Sequence, residues 1–156
     1  MDEQERLKKY IDMAFDELYK KDSHLIANRP NRNNSNGTHH VGERAIVFRF
    51  AYYLQNLLYN DDIFKEYHLD CEYNRNGIET KNLPGFPDGT FPDLIIHKRG
   101  SNESNLLVME FKTYWNSNQE KDKQKIAQFM DPKGKYRYKY GIAALITPER
   151  LTWDWE

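Results

Sequence analysis

The fold of this chain is decided by the stretch Pro92-Asp93-Leu94-Ile95-Ile96, a polar turn, and then Leu106-Leu107-Val108-Met109-Glu110-Phe111-Lys112. Two short apolar runs bounded by polar residues predict adjacent strands, with residues 98–105 as the hairpin connection. Side chains alternate along a strand, so Glu110 and Lys112 are expected on one face and Phe111 on the other. If Asp93 opens the neighbouring strand, two carboxylates and one ammonium converge at one point.

Composition limits the class of protein. The chain has 156 residues, a net charge of −1 and a single cysteine, Cys71. This length favours one domain over residues 1–156. The near-neutral charge means that any contact with DNA or RNA must rely on local basic patches. A lone cysteine excludes an intramolecular disulfide and indicates a reducing compartment. No apolar run reaches transmembrane length and the N-terminus lacks a signal-peptide pattern, so a cytoplasmic protein with no membrane partner is expected.

Two helices are predicted before residues 92–112. Residues 3–20 repeat apolar side chains every three or four positions, which predicts an amphipathic helix that packs on the core or, alternatively, forms a dimer. Residues 42–59 are apolar on nearly all sides, which predicts a buried helix. Glu43 lies in its first turn, where the helix dipole favours a carboxylate. Because Glu43 shares a face with Ile46 and Phe50, it is also expected to point inward.

Three further elements complete the predicted core. Residues 69–73 alternate as a strand, residues 118–130 carry the apolar stripe of a helix, and residues 138–147 form a buried strand. The predicted order is therefore helix, strand, strand, strand, helix, strand, with one extra helix in front. The Asn-rich segment 28–40 is predicted to be a loop.

These residues carry a resemblance to a known family. Pro92-Asp93, sixteen intervening residues, and then Glu110-Phe111-Lys112 resemble the signature of the PD-(D/E)XK nuclease superfamily. The layout is similar to that of small bacterial members. The resemblance covers residues 42–147 and implies an α/β protein with a restriction-endonuclease-like core, whose order is α-β-β-β-α-β around a mixed central sheet.

The resemblance implies a metal-dependent nuclease that hydrolyses phosphodiester bonds, in DNA more than in RNA. It implies that Asp93, Glu110 and the Phe111 carbonyl hold Mg²⁺, with Mn²⁺ as a substitute, and that Glu43 completes the acidic cluster. Magnesium keeps several waters, so one or two carboxylates suffice to bind it. Lys112 would orient the attacking water and offset the phosphate charge. The sequence does not choose between restriction, repair, junction resolution and defence.

Two alternatives stay open at this point. The first is a catalytically silent member, a nucleic-acid-binding or protein-interaction module on the same fold. The second concerns the basic residues, which are either phosphate contacts or only a solvated surface. Tyr136, Tyr138 and Tyr140 alternate with some of them as candidate base-stacking side chains. A homodimer or another partner would supply further binding surface. The candidate phosphate contacts are Lys98, Arg99, Lys133, Lys135, Arg137 and Lys139.

Overall fold

The computed structural model describes residues 1–27, 29–30, 38–73, 75–76, 79–86 and 89–156. Its helices are α1 (Glu3–Lys21), α2 (Ser23–Ile26), α3 (Glu43–Tyr59) and α4 (Glu120–Met130), and a 3-10 turn covers Tyr114–Asn116. The strands are β1 (Arg29–Pro30), β2 (Thr38–His39), β3 (His68–Cys71), β4 (Arg75–Asn76), β5 (Glu79–Thr80), β6 (Leu94–His97), β7 (Asn105–Thr113) and β8 (Tyr140–Ile146).

A four-stranded mixed sheet forms the centre, in the order β3-β6-β7-β8. β3 and β7 both pair antiparallel with β6, and β8 pairs parallel with β7. Around this sheet the elements follow the order α3, β3, β6, β7, α4, β8, with α1 in front. The predicted α/β class, mixed sheet and element order are therefore confirmed. The two-stranded ladders β1/β2 and β4/β5 were not predicted.

The N-terminal helix packs on the core. Its start is fixed by a capping box, in which the Asp2 side chain accepts from the Glu5 N–H and the Glu5 side chain accepts from the Asp2 N–H. One face of α1 is buried and lies against α3. The core interpretation of this helix is therefore confirmed for that face, whose buried residues are Leu7, Ile11, Ala14, Phe15 and Leu18.

The sheet separates two apolar clusters. Leu107, Met109 and Phe111 of β7 lie in the cluster with α1 and α3, whereas Val108 lies in the cluster with α4. Since side chains alternate along a strand, Glu110 and Lys112 lie on the α4 face with Val108. This face carries the candidate site.

The remaining segments are short. The predicted loop 28–40 contains β1 and β2, while its residues 28 and 31–37 lie outside the described part of the chain. Of the helices that the structure describes, none is both long and apolar enough to cross a membrane.

Candidate active site at the end of the central sheet

Asp93 and Glu110 come together through the register of β6 and β7. Leu94 pairs with Met109 in this antiparallel ladder. The same register continued by one residue sets Asp93 opposite Glu110, a position whose side chains lie on the same face of the sheet. Asp93 also accepts a hydrogen bond at Oδ2 from the Phe111 N–H, at 2.7 Å. Its carboxylate is thus anchored to the backbone of β7.

The carbonyl of Phe111 lies on the side of β7 that faces Asp93. The N–H and C=O of a strand residue point to the same side, and the Phe111 N–H points towards Asp93. The continued register sets Pro92 opposite Phe111, and proline has no N–H to donate to that carbonyl. The sequence therefore ends the ladder here and leaves a backbone oxygen on the side of β7 that also carries the hydrogen bond to Asp93.

Glu110 is a buried carboxylate with a lysine beside it. It is 2 % exposed, and its Oε1 lies 2.9 Å from Nζ of Lys125 on α4. By strict hydrogen-bond geometry Oε1 has no partner among the described residues, and the Lys125 ammonium is its ion-pair partner. Burial, followed by the charge of Asp93, raises the pKa of Glu110 well above its usual value, although Lys125 acts in the opposite direction. Glu110 is therefore a carboxylate whose ionised form lacks sufficient compensation.

Lys112 is turned towards a second acid on α4. Its Nζ lies 3.6 Å from Oδ2 of Asp122, a buried side chain. Burial raises the pKa of Asp122, while Lys112 and then Lys125 lower it and Asp93 raises it further. The two lysines and the carboxylates thus form one coupled group.

Glu43 reaches this group from the first turn of α3. Its pKa is raised by burial and by the charge of Asp93, with Lys112 opposing. Glu43 and Asp93 both line a pocket of about 370 Å³, whose wall includes Val47 and the exposed Phe48. The four acids Glu43, Asp93, Glu110 and Asp122 are called the carboxylate cluster below. Through this pocket Glu43 and Asp93 of the carboxylate cluster are open to a ligand.

Sequence reasoning missed Asp122 and Lys125. A signal was present, since Asp122 precedes Ile126 and Phe129 by four and seven residues and therefore lies on the buried stripe of α4. A carboxylate in such a stripe is costly to bury without a partner. Lys125, three residues after Asp122, then lies close enough on the helix surface to share that environment.

The predicted phosphate contacts do not lie at the site. Lys98 and Arg99 follow β6 at the end opposite to Asp93, and pair there with Glu66 and Asp70. The side chain of Lys139 pairs with Glu3. The backbone N–H of Lys139 donates a hydrogen bond to the carbonyl of Asn105, the first residue of β7. That residue lies about 23 Å along the strand from Lys112.

The segment between α4 and β8 also lies at the end of the sheet opposite to Asp93. Lys133, Lys135 and Arg137 are exposed there, on the approach to the strand that begins opposite Leu107. A parallel crossover returns the chain to the far end of the sheet, so these basic residues lie away from Asp93 and their contact with phosphate stays a prediction.

The burial of two of the candidate stacking tyrosines does not fit contact with bases. Tyr136 and Tyr138 are each 2 % exposed, and both rings contact Phe129. Side chains buried in this way have no face left for a base. Tyr140 is partly exposed but packs on Trp155, with ring centroids 5.0 Å apart.

The oxygen atoms at the site fit a hard cation with few protein ligands. No three His, Cys, Asp or Glu side chains within the described ranges lie close enough together to hold a metal ion. Magnesium needs only one or two carboxylates, because water completes its shell. The Glu110 oxygen without a hydrogen bond, the Asp93 carboxylate and the Phe111 carbonyl form such a set.

Comparison of the chain with models of known protein families, with curated proteins and with solved structures finds no match.

Proposed function

We propose that this protein is a metal-dependent nuclease of the PD-(D/E)XK type, which hydrolyses phosphodiester bonds in DNA more than in RNA. The observation that carries the proposal is the hydrogen bond from the Phe111 N–H to Asp93, which anchors this carboxylate beside Glu110 and Lys112 on one face of β7. The order α3, β3, β6, β7, α4, β8 around a mixed sheet supports a restriction-endonuclease-like fold.

Three oxygen donors of this chain would hold the cation, namely Asp93, Glu110 and the Phe111 carbonyl. Asp93 keeps Oδ1 for this purpose, because Oδ2 accepts from the Phe111 N–H. When bound, Mg²⁺ or Mn²⁺ supplies charge neutralisation at the phosphodiester and acidifies water. A cation bound through Oε1 of Glu110 would take the place of the Lys125 ammonium, which lies 2.9 Å from that oxygen.

Lys112 offsets charge rather than holding the cation. Its side chain is 24 % exposed and so reaches the open side of the site. An ammonium there stabilises the negative charge that develops on the phosphate oxygens and orients the attacking water. The pKa of Glu43 is raised, so this carboxylate is suited to accept a proton from the attacking water.

The pocket beside Asp93 offers surfaces for unpaired bases. Phe48 lines it and is 63 % exposed, and Phe91, two residues before Asp93, is also exposed. Exposed aromatic rings stack with bases whatever their sequence. These two side chains take the stacking role that the buried Tyr136 and Tyr138 cannot have.

A cleavage assay tests the proposal. The protein is incubated with supercoiled plasmid, linear duplex, single-stranded DNA and RNA, each with Mg²⁺, Mn²⁺ or EDTA. Cleavage that needs the cation, disappears in Asp93→Asn and persists in Asp62→Ala supports it. Asp62 is a matched control, because its exposed carboxylate pairs only with the nearby Lys65 among the described residues.

One observation favours the catalytically silent alternative. Lys125 and Lys112 already pair with Glu110 and Asp122, so lysines neutralise the cluster where a cation would otherwise do so. Binding of one of these nucleic acids without cleavage of any of them, in either metal, would select that alternative.

A further inference from the structure

A buried lysine lies at the other end of the sheet, away from the carboxylate cluster. Lys81 is 1 % exposed, and the ring centroids of Tyr136, Tyr73 and Tyr138 lie 4.7, 5.8 and 6.0 Å from its Nζ. Aromatic faces attract a cation but supply no counter-charge. No carboxylate among the residues that the structure describes lies within ion-pair distance of this ammonium. Burial lowers the pKa of Lys81 to about 8.

Asp70, a carboxylate at the same end of the sheet, is already engaged. Asp70 accepts from Nε of Arg99 at 2.9 Å, and its Oδ2 lies 2.8 Å from Nε2 of His97. Burial acts to raise the pKa of Asp70, but the hydrogen bonds from His97 and Arg99 outweigh it and hold this pKa well below its usual range. Asp70 is therefore satisfied without Lys81.

Lys81 borders a small cavity with polar walls. The cavity holds about 200 Å³, and it is lined by Lys81, Tyr73, Arg75, His97 and residues 100–102. Ser101 lies in that wall, where its Oγ accepts from the Glu103 N–H at 3.0 Å. A hydroxyl that accepts in this way keeps its own proton to donate. Hereafter this is the Lys81 cavity.

We propose that the Lys81 cavity binds a phosphate group, with the Lys81 ammonium as its main contact and the Ser101 hydroxyl as a hydrogen-bond donor. A phosphate carries about −1.5 to −2 charge at neutral pH and presents three or more acceptor oxygens. The wall places the Lys81 ammonium and the Ser101 hydroxyl in one cavity, and a positive charge together with a hydrogen-bond donor matches the charge and the acceptor oxygens of phosphate.

The Lys81 cavity is separate from the proposed nuclease site. His97 lines the cavity and lies four residues after Asp93, about 13 Å along the strand. One cation or one phosphate cannot contact both. Phosphate binding at the Lys81 cavity is therefore tested independently of metal-dependent cleavage.

Titration with inorganic phosphate at constant ionic strength, set with chloride, tests the assignment. Calorimetry and the thermal midpoint should show saturable binding at pH 7. Lys81→Met should lower the affinity by about tenfold or more, as expected for loss of a charged hydrogen-bond partner. Lys98→Met is the matched control, since this lysine lies at the same end of the sheet but is 41 % exposed and pairs with Glu66. It should bind phosphate as the wild type does.

A second variant keeps the test decisive if Lys81→Met does not fold. Ser101→Ala removes one donor from the cavity wall and should weaken phosphate binding by about three- to tenfold. A 5′-phosphorylated dinucleotide that binds more tightly than inorganic phosphate would identify a nucleic-acid end as the source. Equal or weaker binding of the dinucleotide would identify free phosphate.

Three results would overturn the proposal. The first is the absence of saturable binding to the wild type, and the second is an unchanged affinity in both Lys81→Met and Ser101→Ala. The third is equal affinity for acetate, which would show a general anion site rather than one for phosphate.

Discussion

The ammonium of Lys125 lies 2.9 Å from Oε1 of Glu110, the buried carboxylate of the central strand. Burial of an ionised carboxylate is costly unless an opposite charge is close to it. Lys125 supplies part of that charge, yet the pKa of Glu110 stays well above its usual value. In the proposed nuclease a divalent cation held by Glu110 would take over this role.

Lys125→Met should destabilise the metal-free protein. Its removal leaves Glu110 buried without its cationic neighbour, which we expect to lower the free energy of unfolding by about 1–3 kcal/mol. Mg²⁺ or Mn²⁺ should then raise the thermal midpoint of Lys125→Met more than that of the wild type, because no ammonium competes for Glu110. Thermal denaturation with EDTA or with metal measures both effects.

A neighbouring lysine on the same helix supplies the control. Lys123 is exposed, and its Nζ lies 3.9 Å from a carboxylate oxygen of Glu156. Lys123→Met should behave as the wild type does with and without metal. An equal response of Lys125→Met and Lys123→Met to the cation would contradict the exchange of ammonium for metal at Glu110.

Two substitutions of Asp93 separate its structural role from its role as a ligand. Asn keeps an oxygen that accepts from the Phe111 N–H, whereas Ala leaves that donor unsatisfied. We expect Asp93→Asn to retain wild-type stability and Asp93→Ala to lose about 1–2 kcal/mol. Both should lose metal binding and cleavage, as measured by chemical denaturation, metal titration and plasmid assay. Cleavage by Asp93→Asn at the wild-type rate would remove Asp93 from the proposed ligands.

Lys112→Ala should affect chemistry without removing a ligand. Metal binding is expected to persist or become slightly tighter, because a positive charge near the cation is lost. Cleavage should fall by on the order of a hundredfold or more, as for loss of a group that stabilises charge in the transition state. Calorimetric titration of metal, beside the plasmid assay, checks this. Cleavage by Lys112→Ala at the wild-type rate would mean that Lys112 serves only to pair with Asp122.

The stability of the metal-free protein should carry a signature of Glu110. Because its folded pKa is raised, the folded state holds this proton more tightly than the unfolded chain does, so the stabilisation is complete below the usual value of 4.5 and is lost as pH rises through the folded pKa. Glu110→Gln lacks this titration. In EDTA, the stability of the wild type relative to Glu110→Gln should therefore fall as the pH rises above 4.5. A constant difference across that range would show that Glu110 titrates normally, without the raised pKa.

Lys81 should show a dependence of the opposite sign. Its folded pKa of about 8 lies below the usual 10.5, so the unfolded chain holds this proton more tightly between those values and stability rises with pH there. In phosphate-free buffer at pH 7 we expect Lys81→Met to be more stable than the wild type by about 1–3 kcal/mol. This advantage should shrink by about 1.4 kcal/mol per pH unit between pH 8 and 9.5. A wild type more stable than Lys81→Met at pH 7 would contradict an uncompensated ammonium.

Much of the fold could be predicted because β7 is an unbroken apolar run with charges only at its end. Such a run is typical of a central strand, and its period of two assigns Glu110 and Lys112 to one face. The same alternation does not predict which helix covers the face that carries Glu110 and Lys112. Asp122 and Lys125 were therefore missed, although Asp122 interrupts the apolar stripe of α4.

The positions of the basic residues depended on topology rather than on local pattern. β8 runs parallel to β7, so the chain after α4 must return to the start of β7 before it enters the sheet. Lys133 and Lys135 are carried to that end by this crossover. The alternation of lysine and tyrosine gave no sign that Tyr136 and Tyr138 would turn inward to pack on Phe129.

The most direct test of the proposed nuclease is a time course of nucleic-acid cleavage in Mg²⁺ or Mn²⁺ with purified wild type and Asp93→Asn side by side. The account predicts cation-dependent cleavage by the wild type that EDTA stops, and none above background by Asp93→Asn, which keeps its hydrogen bond to the Phe111 N–H. Equal cleavage by the two proteins, or no cleavage of any DNA or RNA form by a folded wild type in either metal, would contradict it.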